Sequence, residues 1–462
     1  MSHAFHSYDA STLRPSACPG LLRIVPALDG GICRVKLAGG LLSAPQAIAI
    51  ADAIDQHASG IVDITNRANL QLRGVKQGHE DALIAALLGA GLGPQETSHT
   101  SADDVRNVLV SPAMGRDAHA LCDTGVLAEG LLSLLQSDTR FAALSPKFSL
   151  MLDGGERLMM LDHPHDIWFS AIGQEAHEDG LSAFGLAGCP PVTASHENAL
   201  AAVAARDVVA FTQALLHAFL DLAAPEHNRM RDLFATHRAQ DVVAQAERNS
   251  GVRLLRGDSI SQWRRTTADA SRRLGAHRQN DGQRFHVGAQ PALGRVNSAT
   301  LRGLAQLAHD NEGATLRMTP WQSVLLTDIV TANIDGTLQT LEALGLATTR
   351  NDPLTRVIAC TGSTGCAKSH ADTKADALTL AAHVPAHTQA HLSGCSRSCA
   401  AAHRAPFTLL AVAEGRYDLY QTHDPRDPTG FGRCIARGLT IDEAAHKLQA
   451  CAASSTDEPF DA

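Results

Sequence analysis

The chain has 462 residues, 44% hydrophobic and 19% charged. That is the composition of a globular protein too long for one ordinary core, so about two to four domains are expected. A formal charge of −9 argues against a general nucleic-acid binder, and no apolar run is long enough to span a bilayer. Neither nucleic acid nor membrane is therefore an expected partner.

In chain order, residues 1–17 read as a flexible arm without the basic and apolar regions of a secretory signal, which suits a cytoplasmic protein. A first compact unit is expected over 18–97. It has a helix over Ala44–Gln56, a strand over Ile61–Ile64, a turn and second strand over Thr65–Arg73, and a later helix ending at Gly91. The same series recurs over 283–350, with a helix over Ala299–His309, a strand over Thr315–Met318 and a later helix ending at Gly345. The offset is constant at 254 residues (319 − 65 for the threonines, 345 − 91 for the glycines) and needs no gap. Helices on one face of an antiparallel sheet, an α+β sandwich, are its natural product.

Each copy is followed by an α/β stretch. Over 98–225 a strand is expected at Arg106–Leu109, a helix near Val126–Leu135 and a strand at Lys147–Leu152. Over 351–451 a strand is expected at Val357–Cys360 and a helix near Asp372–Ala382. Ala199–Gly251 reads as mostly helical and polar, and 226–282 as a helical linker ending in the charged run Arg253–Arg273. The segment 452–462 reads as a disordered tail.

The first copy's turn and strand run Thr65-Asn66-Arg67-Ala68-Asn69-Leu70-Gln71-Leu72-Arg73. Strand alternation puts Arg67, Asn69, Gln71 and Arg73 on one face. Two guanidiniums and two amides suit carboxylates, which arginine grips in bidentate fashion, although a solvated sheet face is the ordinary fate of such residues. The second copy has Trp321, Ser323, Leu325 and Thr327 there, so one copy is expected to bind while the other packs. Arg106 and Lys147, in Arg106-Asn107-Val108 and Ser145-Pro146-Lys147, extend the basic set. Among 23 histidines, His163 and His165 flank Pro164, and His370, His391 and His403 lie near the cysteines described next.

Cys360, Cys366, Cys395 and Cys399 fall as C-x5-C followed by C-x3-C, each in a glycine- or serine-rich turn. Small neighbours let backbone amides approach the sulfurs, and four thiolates at two close spacings suit an iron–sulfur cluster. Zinc prefers tighter pairs, and disulfides need an oxidising compartment. Buried unreacted thiols remain the expected state of most of the other cysteines. The Thr361–Gly365 loop lacks the lysine of a phosphate-binding loop.

These residues together resemble the siroheme nitrite/sulfite reductase superfamily, from about Cys18 to about Leu419. The resemblance implies an internally duplicated α+β fold with two ferredoxin-like half-domains and two larger α/β halves. It implies a 4Fe-4S cluster on Cys360, Cys366, Cys395 and Cys399, the last at the position that bridges to siroheme iron. Arg67, Arg106 and Lys147 match basic positions that meet tetrapyrrole carboxylates or the substrate anion, and Asn69, Gln71 and Arg73 share that strand face. Within the superfamily the chain is most similar to the precorrin-3B synthases of aerobic cobalamin synthesis. The similar stretches are Cys18-Pro19-Gly20-Leu21, Thr65–Gly74, Thr319-Pro320-Trp321 and Ser393–Cys399. Ser149 stands where sulfite reductases carry a second lysine, a lysine that nitrite reductases lack as well.

The implied chemistry is oxygen-dependent hydroxylation and γ-lactone formation on precorrin-3A. The implied partners are precorrin-3A, dioxygen and an electron donor, either an NADH-linked reductase or ferredoxin. A mononuclear non-haem iron, with a histidine or two near the cluster as ligands, is a further expectation. A siroheme-dependent nitrite or sulfite reductase is the alternative.

Overall fold

The computed structural model describes residues 18–95, 97, 101–173, 180–422 and 430–455. The arm expected over 1–17 lies outside the described residues. The C-terminal helix Ile441–Ser455 runs into the expected tail, of which 456–462 lie outside as well.

Two antiparallel sheets carry the repeat. The first orders its strands Val25–Ala27, Gly30–Val35, Leu70–Val75, Ile61–Ile64 and Arg295–Asn297. The second orders Gly275–Arg278, Arg284–Pro291, Val324–Val330, Leu316–Met318 and Leu41–Leu42. The edge strands are exchanged: Arg295–Asn297 belongs in sequence to the second copy but pairs with Ile61–Ile64, while Leu41–Leu42 pairs with Leu316–Met318. Each half thus completes its partner's sheet.

Helices Ala44–His57 and Ser298–Asp310 close the same face, starting at equivalent caps. Ser43 and Gln46 form a reciprocal capping box, and Asn297 Oδ1 accepts the Thr300 amide at 2.8 Å. Ile50, Ile54, Leu83 and Leu87 from one copy join Leu301, Leu304 and Leu341 from the other in one continuous core. Each such side chain contributes roughly 1.5–3 kcal/mol of burial.

The repeat reaches the level of backbone dihedrals. Ala68 and Gln322, one offset apart, both sit in the left-handed region at φ 57° and 60°. Both turns are closed by a threonine: the Asn69 amide meets Thr65 Oγ1 at 3.2 Å and the Ser323 amide meets Thr319 Oγ1 at 3.3 Å. Asn69 has a task that its counterpart lacks, since its Oδ1 accepts the Leu37 amide at 2.9 Å. At the matching place the second copy has Pro291, which has no N–H to satisfy.

The two α/β halves also share one topology. Val108–Leu109, Leu150–Asp153 and His165–Ile172 run parallel, followed by antiparallel Leu181–Gly188 and Ala201–Ala204. Val357–Ala359, Ala390–Ser393 and Phe407–Ala413 run parallel, followed by antiparallel Arg416–Gln421 and Arg433–Leu439. The crossover helices are Gly125–Ser137 and Thr373–Ala381, close to the expected ranges. The strands expected at Arg106–Leu109 and Lys147–Leu152 begin later, at Val108 and Leu150, because turns occupy the preceding residues.

The segment 226–282 is built in rather than linking. Helix Ala239–Ser250 packs on Val208–Leu222, burying Val242, Val243 and Ala246 in the first half's core beside Leu254. Arg265 reaches Asp153, at the end of strand Leu150–Asp153, at 2.6 Å. The polar face of this helix obscured its short apolar stripe.

Candidate functional site

Cys360 and Cys395 are brought together by two adjacent parallel strands. Ala359 pairs in register with Leu392, so the turns that follow leave from the same sheet edge, the usual ligand edge of such sheets. The Gly394 amide donates to Cys360 Sγ at 3.2 Å, and Thr373 Oγ1 lies 3.3 Å from the same sulfur. Glycine is required at 394, where a Cβ would collide with Ser369. Cys366 closes its turn through its amide to the Gly362 carbonyl at 3.0 Å. Cys399 is the most exposed residue of the four. Local burial, then Cys395, Cys360 and Cys366, push its pKa up.

Both repeat turns hold the Cys399 segment. Asn66 Nδ2 donates to the Cys399 carbonyl at 3.4 Å, and Gln322 Nε2 donates to the Ala400 carbonyl at 3.2 Å. A pocket beside them is lined by Asn66, Trp321, Gln322, Ala400 and His403.

Cations gather next to this edge. Burial pushes Arg67 down to about 10, with Arg34 and Arg229 adding to the fall. Arg67 Nη2 reaches only the Lys147 carbonyl, at a long 3.5 Å. Arg34 donates to Gln71 Oε1 at 3.3 Å, and its buried Nε has no partner among the described residues. Burial lowers its pKa as well, opposed first by Cys18 and then by Cys399, which places it at the rim of the cysteine site. Arg229 grips Asp166 with contacts at 2.8 and 2.9 Å.

Among these cations lie neutral imidazoles. His163 Nε2 is 2.8 Å from His403 Nδ1, and His165 is pushed down to about 3 by burial, then by Arg67 and Arg229. Neither ring nitrogen of His165 has a partner among the described residues.

The expected basic set therefore divides. Among the described residues the Arg67 guanidinium has only its long contact to the Lys147 carbonyl, and Gln71 holds Arg34. Asn69 supports its own turn, and Arg73 is buried against Asp29 at 2.7 Å. Arg106 pairs with Asp103 at 3.2 Å and donates to the Lys36 carbonyl, while Lys147 is exposed and lends its carbonyl. Of the histidines, His391 is buried in the strand behind Cys395, and the backbone amide of His370 binds the Gly394 carbonyl at 2.9 Å.

Sequence reading missed Arg34 and Arg229. Arg34 was accessible through strand pairing, since it lies opposite Gln71. Arg229 lies in the segment read as linker, with no local signal. Among the described residues no three His, Cys, Asp or Glu side chains converge closely enough to hold one metal ion, so the expected mononuclear iron has no ligand set there. A cluster is a different test, because its ligands bind separate irons and stand farther apart. Cysteines near enough for Cys395, Cys360 and Cys366 to act on Cys399, a backbone donor on the Cys360 sulfur and glycines packed to contact fit that group.

A model of the nitrite/sulfite reductase ferredoxin-like half domain matches residues 26–90 and again 277–344. A model of the nitrite and sulphite reductase 4Fe-4S domain matches residues 101–254. The chain is built from nitrite/sulfite reductase superfamily domains. These domains mark an oxidoreductase with an iron–sulfur cluster. The 101–254 match covers the first α/β half, including helix Ala239–Ser250, whereas the four cysteines lie on the second half of the same topology.

Among curated relatives, the ferredoxin–nitrite reductase of Zea mays is 28% identical, over 79% of this chain and 67% of its own. The ferredoxin–nitrite reductase of Synechococcus elongatus is also 28% identical, over 80% and 73%. The precorrin-3B synthase of a Sinorhizobium species is 24% identical, over 92% and 88%. The solved NirA protein of Mycobacterium tuberculosis superposes with a TM-score of 0.76 at 20% identity, over 94% of this chain and 82% of its own. That likeness concerns the fold. Among the described residues no helix is long and apolar enough to cross a membrane.

Proposed function

We propose that this nitrite/sulfite reductase superfamily chain is an oxygen-dependent precorrin-3B synthase. It would act in the cytoplasm on precorrin-3A, with a 4Fe-4S cluster on Cys360, Cys366, Cys395 and Cys399. The observation that carries the reading is the gathering of Arg34 and Arg67 beside Cys18, with Cys399 also acting on Arg34 and with guanidinium groups short of acceptors among the described residues. Half-buried cations so arranged favour a ligand with several carboxylates, as a tetrapyrrole macrocycle not yet contracted to a corrin has. Near-complete co-linearity with the Sinorhizobium synthase supports the same reading. So does Ser149, which is buried and gives its amide to Asp166 at 2.8 Å, leaving no second cation after Lys147.

In the proposed reaction one atom of dioxygen enters C20 of the macrocycle as a hydroxyl. The other leaves as water with two electrons and two protons; the ring A acetate oxygen adds to C1, the double bond between C1 and C20 being used up, and its proton passes to the C20 oxygen. The cluster, when bound, supplies single electrons taken from an NADH-linked reductase or a ferredoxin. Arg67 and Arg34 orient the carboxylates, and the packed turns at Asn66 and Gln322 keep the Cys399 edge in place.

A siroheme-dependent nitrite reductase is the second reading, favoured by the 28% identity to the Zea mays and Synechococcus enzymes. The visible spectrum of protein purified without oxygen separates them. The synthase reading expects a broad iron–sulfur shoulder, and conversion of precorrin-3A with dioxygen and a reductant. Strong siroheme bands with nitrite turnover would refute it.

A further inference from the structure

Arg73 lies on the strand face assigned to ligand binding, but its guanidinium is occupied on the opposite side of the cysteine site. Its Nε and Nη2 meet Asp29 at 3.0 and 2.7 Å, and Nη2 also donates to the Gly365 carbonyl at 3.1 Å. Gly365 immediately precedes Cys366. The turn is pressed onto the pair, because a Cβ at 365 would collide with Arg73 and come within 3.0 Å of Asp29 Oδ2. The Arg73 side chain is 3% exposed.

Beside it, Lys374 is half-buried with Nζ 2.8 Å from the Leu293 carbonyl and 3.8 Å from Asp63. Asp63 in turn is held by Arg295 at 2.7 and 3.0 Å. Where the first copy has Arg73, the second has Thr327. The cation therefore belongs only to the first copy.

We propose that Arg73 and Asp29 are an opposed charge pair that positions the Cys360–Cys366 turn and sets the reduction potential of the cluster. A cluster gains negative charge on reduction. A buried cation bonded to its turn stabilises the reduced form, and the partner carboxylate tempers that effect; low local polarity strengthens both. The inference rests on the reading of the four cysteines as cluster ligands.

The test is a potentiometric titration of the cluster, followed by electron paramagnetic resonance, in protein purified without oxygen. Arg73→Gln should keep its iron and sulfide and lower the potential. Asp29→Asn, which leaves the cation uncompensated, should raise it. Each should shift the one-electron equilibrium at least tenfold, equivalent to about 59 mV. Arg73→Lys, which keeps the charge, should recover most of the first shift.

Loosening of the turn alone would move Arg73→Gln and Asp29→Asn in the same direction, and that result, or no shift in either, overturns the proposal. If Arg73→Gln assembles no cluster, Asp29→Asn decides the matter, and an unchanged or lowered potential overturns it. Wild-type protein without iron and sulfide would defeat the cluster assignment itself, an outcome distinct from a wild-type cluster insensitive to these changes.

Discussion

His163 Nε2 lies 2.8 Å from His403 Nδ1, and this contact joins the two α/β halves across the cleft. One ring must donate and the other accept, so protonating both turns a hydrogen bond into a repulsion. Burial lowers both pKa values. His403, His165 and Arg67 add to the fall at His163; at His403, Asp162 opposes it and Arg404 adds to it.

A pH dependence of stability follows from these imidazoles. A histidine whose folded pKa is depressed binds more protons when unfolded, so its contribution is present above the ordinary value of about 6.5 and is lost as pH falls. For His165, pushed down to about 3, the window runs from there up to the ordinary value. At pH 5 a ring of this kind costs about 2 kcal/mol. The urea midpoint should fall between pH 7.5 and pH 5, and His165→Asn should flatten that slope. An unchanged slope in the variant would show that the ring titrates normally.

Cluster retention should separate the cysteines by place. Cys395→Ser should abolish the visible absorbance and acid-labile sulfide of anaerobically purified protein. Cys33→Ser should leave both intact, since Cys33 is fully buried in the ferredoxin-like core, where burial, then Asp103, push its thiol far up. A full cluster in Cys395→Ser would remove that residue from the ligand set.

Ligand affinity should discriminate between two basic residues that sequence reading treated alike. Among the described residues the Arg67 guanidinium has only the Lys147 carbonyl as acceptor, so Arg67→Ala should weaken binding of a polycarboxylate porphyrin about ten- to a hundredfold. Lys147 is exposed and contributes its carbonyl to Arg67, so Lys147→Ala should change affinity by about threefold or less. Equal losses, read by fluorescence titration, would mean that both side chains touch the ligand.

The repeat was legible because both copies keep the same threonine and the same terminal glycine at one spacing. The exchange of Leu41–Leu42 and Arg295–Asn297 was not, since a two- or three-residue strand carries no periodicity. The cysteine site was legible from residue type and spacing. Its surroundings were less so, because strand alternation groups Arg67 with Arg73 without showing that Asp29 lies within reach of one only. Arg34 needed the pairing partner of its strand, and Arg229 needed the whole fold.

Arg265 gives the sharpest test of whether 226–282 is structural. Its guanidinium contacts Asp153 at 2.6 and 2.9 Å and the Glu156 carbonyl at 2.6 Å, with the two side chains 2% and 0% exposed. Burial, then Asp153, push Glu156 up to about 8, so this neighbourhood does not readily hold a second negative charge. Arg265→Met leaves Asp153 charged and buried with only the Ser170 hydroxyl and the Gly155 amide as donors. Removing one partner of such a pair costs about 3–5 kcal/mol, whereas replacing both with apolar groups costs little. The urea midpoint should therefore drop sharply in Arg265→Met and recover in the double variant with Asp153→Leu. A loss below about 1 kcal/mol in the single variant is what a mere linker would give.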